Sequence, residues 1–382
     1  MTSPLTPEEA IGDLLEQIAE VLGSPVPAPL RAALRAVPRH LFLPSTVWLR
    51  DGKGSYEPCD RGQDPDRWWH TAYRDAPLIT QFTEHSDGDT VPSSSASMPS
   101  MVVRMLRDLD VQPGHRVLEI GTGTGFNAAL LSFLFGAENV TSLDVDPGLI
   151  CQARRALKAS GQQPEVVCAD GAAGWQPNAP YDRIISTCSV RTVPPAWLEQ
   201  ISPGGLIVTP WDTAWCNFGT LIATGQRDGT AEGSLVPYGS FMLMRAQQVD
   251  VELHRDLLRD GQIPEWSVTE LSPWSVAGND LDAQMHIGLR VPGVWHAWDT
   301  DAPEAHTRLW LADDEATSWA GVDYDGRQTS TFAVAQYGPR RLWDEVARAH
   351  EEYLSAGRPG VARHRLRLSP EGRRTRLEVS LT

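Results

Sequence analysis

Residues 117–131, VLEIGTGTGFNAALL, set a short apolar run, three alternating glycines and a second apolar run in immediate succession. The run 116–120 has the length and branching of a buried strand, and 126–135 has the length and composition of a helix. Glycines at 121, 123 and 125 allow a tight turn and let the backbone approach a ligand closely. Strand, glycine turn and helix together open a doubly wound sheet. The pattern then repeats outward: strands at 140–144, 165–168, 182–187 and 206–209, with a helix after 144 running to about 160 and a turn at 202–205. Repeated units of this length predict an α/β fold, a Rossmann-like parallel sheet with helices on both faces.

The flanks read differently. Thr6-Pro7-Glu8-Glu9 has the form of a capping box with proline at the first helical position. It opens an amphipathic helix carrying Ile11, Leu14, Leu15, Ile18, Val21 and Leu22, and a second helix is expected over 30–36. Residues 50–96 are rich in Gly, Asp, Ser and Pro and read as a long irregular segment. Beyond 250, short strands are expected at 285–289, 308–311, 318–322 and 331–334, with a helix over 341–354 and a closing hairpin turning at 369–372. Three parts follow: N-terminal helices and a substrate-side loop (1–96), the ligand-binding sheet (97–249), and a separate C-terminal α+β domain (250–382).

Composition narrows the function classes. The 382 residues carry a net charge of −16, from 33 basic against 49 acidic side chains. A field of that sign disfavours nucleic acid and anionic membranes as partners. No apolar run has the roughly 18 residues of a membrane span, and no signal peptide is expected. Five scattered cysteines without a C-x-x-C pair argue against zinc or a disulfide framework and suit a reducing cytoplasm. The 14 tryptophans are expected mainly in cores.

Three strand ends carry the chemistry. After the glycine turn, Asp144 ends the second strand about 20 residues on, where a carboxylate can accept from both hydroxyls of a ribose. Asp146 is its rival. Asp170-Gly171 ends the third strand, placed for an adenine amino group. Dehydrogenases share this geography, but their turn runs G-x-G-x-x-G with a helix N-terminus for pyrophosphate. Here Glu119-x-Gly121-x-Gly123-x-Gly125, with Thr122 inside it, has the spacing typical of proteins that hold S-adenosylmethionine, which has no phosphate.

At this point the sequence resembles the protein-L-isoaspartate O-methyltransferases. The matching pieces are VPRHLFLP (37–44), AYRDAPL (72–78), the glycine turn, ADGAAGW (169–175), YDRIISTCSVRTVPPAWLEQISPGGLIV (181–208) and LVPYGSFML (235–243), in family order. The resemblance implies a class I methyltransferase sheet, S-adenosylmethionine as donor and a carboxylate as acceptor. It also implies that Ser97, which aligns with the family's Ser-Gln-Pro pattern as Ser97-Met98-Pro99, lies at the substrate carboxyl. Tyr73 and Asp75 match an aromatic-x-Asp segment bordering the site. Met98 departs from the usual Gln, and 84–95 replaces a glycine-rich run with a polar, serine-rich one.

The region after 250 looks like an addition that such repair enzymes lack. TSWAGVDYDG (317–326) and QYGPRRLWDEV (336–346) resemble the C-terminal extension of homologues associated with ribosomally made, modified peptides. Those accompany ATP-grasp ligases that make graspetides, or lanthipeptide synthetases. The implied substrate is an Asp in a modified, macrocyclic peptide, whose methyl ester closes to a succinimide.

An Asp carboxylate is ionised near pH 7 and needs no general base to take a methyl group from a sulfonium. The enzyme's task is then alignment. Ser97 is also expected to cap a helix whose free N–H groups would receive the carboxylate. Ser93, Ser94 and Ser95 read as loop. The rival functions are general isoaspartyl repair, an idle peptide-binding module and, more distantly, a nicotinamide dehydrogenase. Arg363, Arg365 and Arg367, with Arg373, Arg374 and Arg376 across the turn, form a basic hairpin that reads as a solvated strand face.

Overall fold

The structure, a computed structural model, describes residues 6–51, 54–84, 90–110, 112–301, 307–326 and 330–382. Thr6 caps α1 (Pro7–Leu22) as expected: its N–H donates to the Glu9 carboxylate at 2.8 Å and its hydroxyl accepts from the Glu9 N–H. Ile11, Leu14, Leu15 and Ile18 form the buried stripe of α1, which packs with α2 (Ala28–Ala36).

The segment 50–96 is not irregular. It builds a four-stranded antiparallel sheet, ordered β2-β1-β3-β4, from β1 (Thr46–Arg50), β2 (Tyr56–Asp60), β3 (Leu78–Glu84) and β4 (Thr90–Ala96), with α3 (Pro65–Ala72) between β2 and β3. Strand β4 reads TVPSSSA and has no apolar alternation of its own. Its partner β3 supplies the apolar face, and cross-strand pairing with β3 makes it a strand. Residues 85–89 of the serine-rich replacement lie outside the described residues.

Arg39, in the PRHLF turn, is 1% exposed. Its guanidinium donates to five backbone carbonyls: Ala72, Arg74 and Ala76 on one side, Ala96 and Ser97 on the other, at 3.0–3.3 Å. Burial pulls its pKa down to about 10, with Asp75 opposing. This one side chain fastens the chain after α3 to the end of β4, where α4 (Pro99–Asp108) begins.

The main sheet has nine strands in the order β18-β17-β11-β10-β9-β8-β5-β6-β7. Its parallel part is β5 (Val117–Ile120), β6 (Val140–Asp144), β7 (Glu165–Cys168), β8 (Tyr181–Ser186) and β9 (Ile201–Asp212). Helices α5 (Phe126–Phe135), α6 (Pro147–Ala159) and α7 (Pro195–Gln200) make the crossovers. Strand order runs outward from β5 to β7 and then returns to β8 on the other side of β5. The reversal opens a crevice at the carboxyl ends of β5 and β8, where ligands bind in such sheets. Strands β10 (Asn217–Gly225) and β11 (Ala231–Val236) continue the sheet antiparallel.

The C-terminal region departs from expectation in three ways. Residues 285–289 lie in a helix, α9 (Leu281–Arg290), because Asp280 caps it by accepting from the Ala283 N–H; a short apolar run alone does not separate helix from strand. A five-stranded antiparallel sheet follows, β12-β16-β15-β14-β13, from β12 (Glu265–Thr269), β13 (Val294–Asp299), β14 (Thr307–Asp313), β15 (Trp319–Tyr324) and β16 (Phe332–Tyr337). It is packed by α8 (Pro273–Ala277), α9 and α10 (Leu342–Ser355). This unit is not separate. Trp211 of β9 and Trp215, in the connection to β10, share one continuous core with Met285, Leu309, Val334 and Trp343. Finally, the hairpin of β17 (His364–Glu371) and β18 (Arg374–Leu381) returns to the main sheet and pairs with β11. There Arg367 makes ion pairs with Glu232 and Asp228, so the hairpin's basic face is partly neutralised.

Replacing Arg39 with Ala removes the donor shared by five carbonyls, two in buried and three in part-buried hydrogen bonds. The expected cost is about 3–5 kcal/mol, read as a lower urea midpoint, because orphaned buried polar groups carry their full desolvation penalty.

Candidate active site

The glycine turn leaves β5 into a cavity of about 850 Å3 at the strand-order reversal. Gly121, Gly123 and Gly125 all have positive φ. A Cβ on Gly121 would lie 2.6 Å from the Thr187 hydroxyl, and one on Gly171 would lie 2.4 Å from Ile120 Cγ2. These two positions are glycine because the cradle has no room for more. Gly125 plays another part: it faces Ala153 of α6, with a would-be Cβ contact at 3.1 Å, and holds the helices together rather than lining the cavity.

Asp144 lines the cavity and Asp146 does not. The Asp144 carboxylate accepts from the Gly123 N–H at 2.8 Å and from the Asp146 N–H at 3.0 Å, which fixes it at the mouth of the turn. Asp146 caps α6, accepting from Gly148 and Leu149. Asp170 and Gly171 also line the cavity, with the Asp170 carboxylate taking the Ala172 N–H. Thr122 contributes backbone, its hydroxyl being turned away to Ser142 at 2.6 Å.

Glu119 does not reach the cavity. It is fully buried, accepting from Asn127 at 2.7 Å and from the Ser142 hydroxyl. Burial pushes its carboxyl up to about 7, against those two hydrogen bonds and with a push from Asp144. Its place is behind the turn, tying β5 to α5 and β6.

Ser97 lines the cavity, and its hydroxyl has no partner among the described residues. It is not the helix cap. The cap position of α4 belongs to Met98, with no side-chain cap bond. The first-turn donors are already committed: Pro99 has none, the Ser100 N–H donates to Asp75 at 2.8 Å, and the Met101 N–H donates to the Met98 carbonyl at 3.0 Å. A substrate carboxylate therefore finds no free helix N-terminus here, because Asp75 occupies it. Asp75 and Tyr73 lie off the cavity. Tyr73 is buried against His40, with its hydroxyl 2.6 Å from Nδ1. Both belong to the layer that Arg39 fastens behind Ser97.

The alternation of β4 puts Ser93 and Ser95 on the face that leads to Ser97, and Ser93, Ser94 and Ser95 all line the cavity. The opposite wall is the segment 239–246, anchored where Leu243 bridges Ser189 and the Ser189 hydroxyl donates to the Phe241 carbonyl at 3.1 Å. This wall supplies Phe241, Met242 and Met244, which line the cavity together with Met98 and Met101. Arg39 and this wall leave only a faint mark in the sequence, an isolated arginine in the apolar turn PRHLFLP and the short run SFML.

The cavity suits a cationic, phosphate-free nucleoside. Its ionisable lining among the described residues is Asp144, Asp170, the buried thiol of Cys188 and one cation, Arg245. Burial raises the Cys188 thiol to about 11, so it is neutral. The glycine turn has no lysine or arginine to meet a pyrophosphate. Among the described residues no group of His, Cys, Asp and Glu is arranged to hold a metal ion.

Comparison with known proteins agrees. A family model described as protein-L-isoaspartate(D-aspartate) O-methyltransferase matches residues 56–228. A protein-L-isoaspartate O-methyltransferase from Methanoculleus marisnigri is 33% identical over 209 residues, which is 54% of this chain and 78% of the relative. The chain belongs to the protein-L-isoaspartate O-methyltransferase family. A second relative of that name, from Ignicoccus hospitalis, is 38% identical over 148 residues; these are 38% of this chain and 65% of the relative. A solved structure described as protein-L-isoaspartate O-methyltransferase aligns with TM-score 0.54 at 19% identity, over 99% of this chain and 100% of its own. That alignment includes the C-terminal unit. The fold of this region thus has a counterpart in a solved structure. The protein is an S-adenosylmethionine-dependent carboxyl O-methyltransferase of this family. When bound, S-adenosylmethionine supplies a methyl group on a sulfonium; Asp144 and Asp170, which line the cavity, are the side chains that would hold its nucleoside.

Glu119 makes stability pH-dependent. Its folded pKa stands above its unfolded one, so the folded protein binds more protons between pH 4.5 and 7. The stability tied to Glu119 is fully present below about pH 4.5 and is lost as pH rises to about 7, a change of about 3 kcal/mol. Glu119→Gln is expected to reduce the fall in unfolding free energy between pH 5 and pH 7.5, measured by urea titration at both.

Proposed function

We propose that the protein methylates one Asp side-chain carboxylate of a modified, macrocyclic peptide, and that the ester then closes to a succinimide. The observation behind this reading is the acceptor end of the cavity. Ser97 offers an unpartnered hydroxyl to a cavity that Met98, Met101, Met242 and Met244 also line. Flexible thioethers can fit an irregular, rigid ring better than a shaped slot can. The volume lies toward the upper end of small-molecule sites, leaving room for an acceptor beside the cofactor.

Ser97 donates to the oxygen of the acceptor carboxylate that does not react, holding the other in line. The carboxylate is already ionised, so no side chain has to remove a proton. Once the ester exists, the next backbone nitrogen attacks its carbonyl. The C–N bond forms, the C–O bond to methoxy breaks, and the amide proton leaves with methoxide as methanol. An ATP-grasp ligase that forms the cross-links is the implied functional partner. All five cysteines are free, which supports a reducing, cytoplasmic setting.

A second reading, general repair of isoaspartyl proteins, draws support from the full-length alignment with the solved isoaspartate methyltransferase. Masses separate the two. The protein with S-adenosylmethionine is offered a linear isoaspartyl peptide and a synthetic lactam-bridged macrocycle with one free Asp. Gain of a methyl group followed by loss of methanol on the macrocycle alone is expected; equal turnover of the linear peptide points to repair. In either case Ser97→Ala is expected to lower kcat/KM about 10- to 100-fold, the worth of one hydrogen bond to a charged group, with affinity for S-adenosylhomocysteine unchanged.

A further inference from the structure

We infer that Arg245 selects peptides carrying a second carboxylate about four residues from the methylated Asp. The inference rests on the peptide-carboxylate reading above and adds to it the charge pattern of the substrate.

Arg245 is the only basic side chain among the described residues that line the cavity. It stands at the mouth, 42% exposed, on the wall that faces β4. Its holds are long: 3.4 Å to the Ser93 carbonyl and 3.6 Å to the Asp146 carboxylate. Asp146 has little need of it. That carboxylate already accepts from Gly148 and Leu149 at the start of α6, and from Gln81 at 3.1 Å. Gln81 in turn accepts from the Ser93 hydroxyl at 3.2 Å, so β3 and β4 stay tied to Asp146 without the arginine. A long, part-solvated ion pair of this kind contributes little to stability. The guanidinium keeps donors to spare for an incoming acid.

A substrate carboxylate needs such a cation. The chain's net charge is −16, the cavity's other charges are Asp144 and Asp170, and the N-terminus of α4 is spent on Asp75. Arg245 cannot serve the reacting carboxylate itself without drawing charge from its nucleophilic oxygen. Geometry places it elsewhere in any case. Ser93, where Arg245 rests, and Ser97 are four residues apart on an extended chain, about 13 Å. A peptide lying along β4 with its Asp at Ser97 would bring a side chain about four residues away to Arg245. An Asp or Glu there would form a charge-assisted fork with the guanidinium.

The test uses lactam-bridged macrocycles with one free Asp and Glu, Gln or Lys four residues from it, and the same three series as linear isoaspartyl peptides. At saturating S-adenosylmethionine, the wild-type protein is expected to favour Glu over Gln by about fivefold in kcat/KM, expressed in KM rather than kcat. In Arg245→Gln that preference disappears. In Arg245→Glu it reverses in favour of Lys, which a purely structural role for the arginine would not produce. Equal kcat/KM for Glu and Gln peptides with wild type, or a preference that survives Arg245→Gln, overturns the inference. So does a matching loss of S-adenosylhomocysteine affinity in Arg245→Gln, which would make the residue part of the cofactor's hold. Turnover of the linear series alone overturns the macrocycle reading while its Glu-to-Gln ratio still decides Arg245; turnover of neither overturns both.

Discussion

The acceptor side of this enzyme hangs on one buried guanidinium. Arg39 gathers carbonyls from the chain leaving α3 and from the end of β4, at the point where the β3–β4 ladder closes with Leu78 opposite Ala96. Carbonyls so gathered repel one another, and only a planar cation with several donors can hold them together in one plane. Ser97 inherits its position from that knot, and so does Asp75, whose carboxylate starts α4. The site is thus built in two independent halves. The cofactor half is set by the parallel strands and their glycine turn. The acceptor half is set by Arg39 and a small antiparallel sheet laid over it.

Those halves were unequally legible. The parallel strands are buried on both faces, so their apolar runs stand out, and Asp144 and Asp170 stand where strand ends in such a sheet must lie. Strand β4 was hidden because a sequence of serines and proline has no period of its own; its state is decided by β3, across the hairpin. The cap of α4 was hidden for a similar reason. Ser97 has the residue type and the position of a cap, yet Asp75, 25 positions away in space reach of Ser100, takes the bond. Glu119 was assigned to the cofactor from its place in the motif. Its environment, wholly buried between Asn127 and Ser142, turns it into a brace. Local pattern reports what a residue can do, and long-range packing chooses among the options.

Membership of the isoaspartate methyltransferase family accounts for the sheet and the cavity at its strand ends. It does not account for the particular walls around the acceptor. Strand β4 brings hydroxyls and the 239–246 segment brings thioethers and one arginine; Arg245 and, from β3, Gln81 both reach Asp146 at the start of α6. On the function proposed above, substrate choice is concentrated in these two short segments. Such segments can change while the cofactor half stays as it is.

The return of β17 and β18 to the main sheet has a consequence for how the protein is made. Strand β11 is complete once residue 236 has been synthesised, but its second neighbour arrives only with residues 364–371. During that interval the nascent sheet carries an open edge next to a half-covered apolar face, since Trp211 and Trp215 also wait for partners from the C-terminal unit. Such edges invite pairing with other chains. On the ribosome, the nine-stranded sheet can therefore be completed only after residues 364–381 have been synthesised.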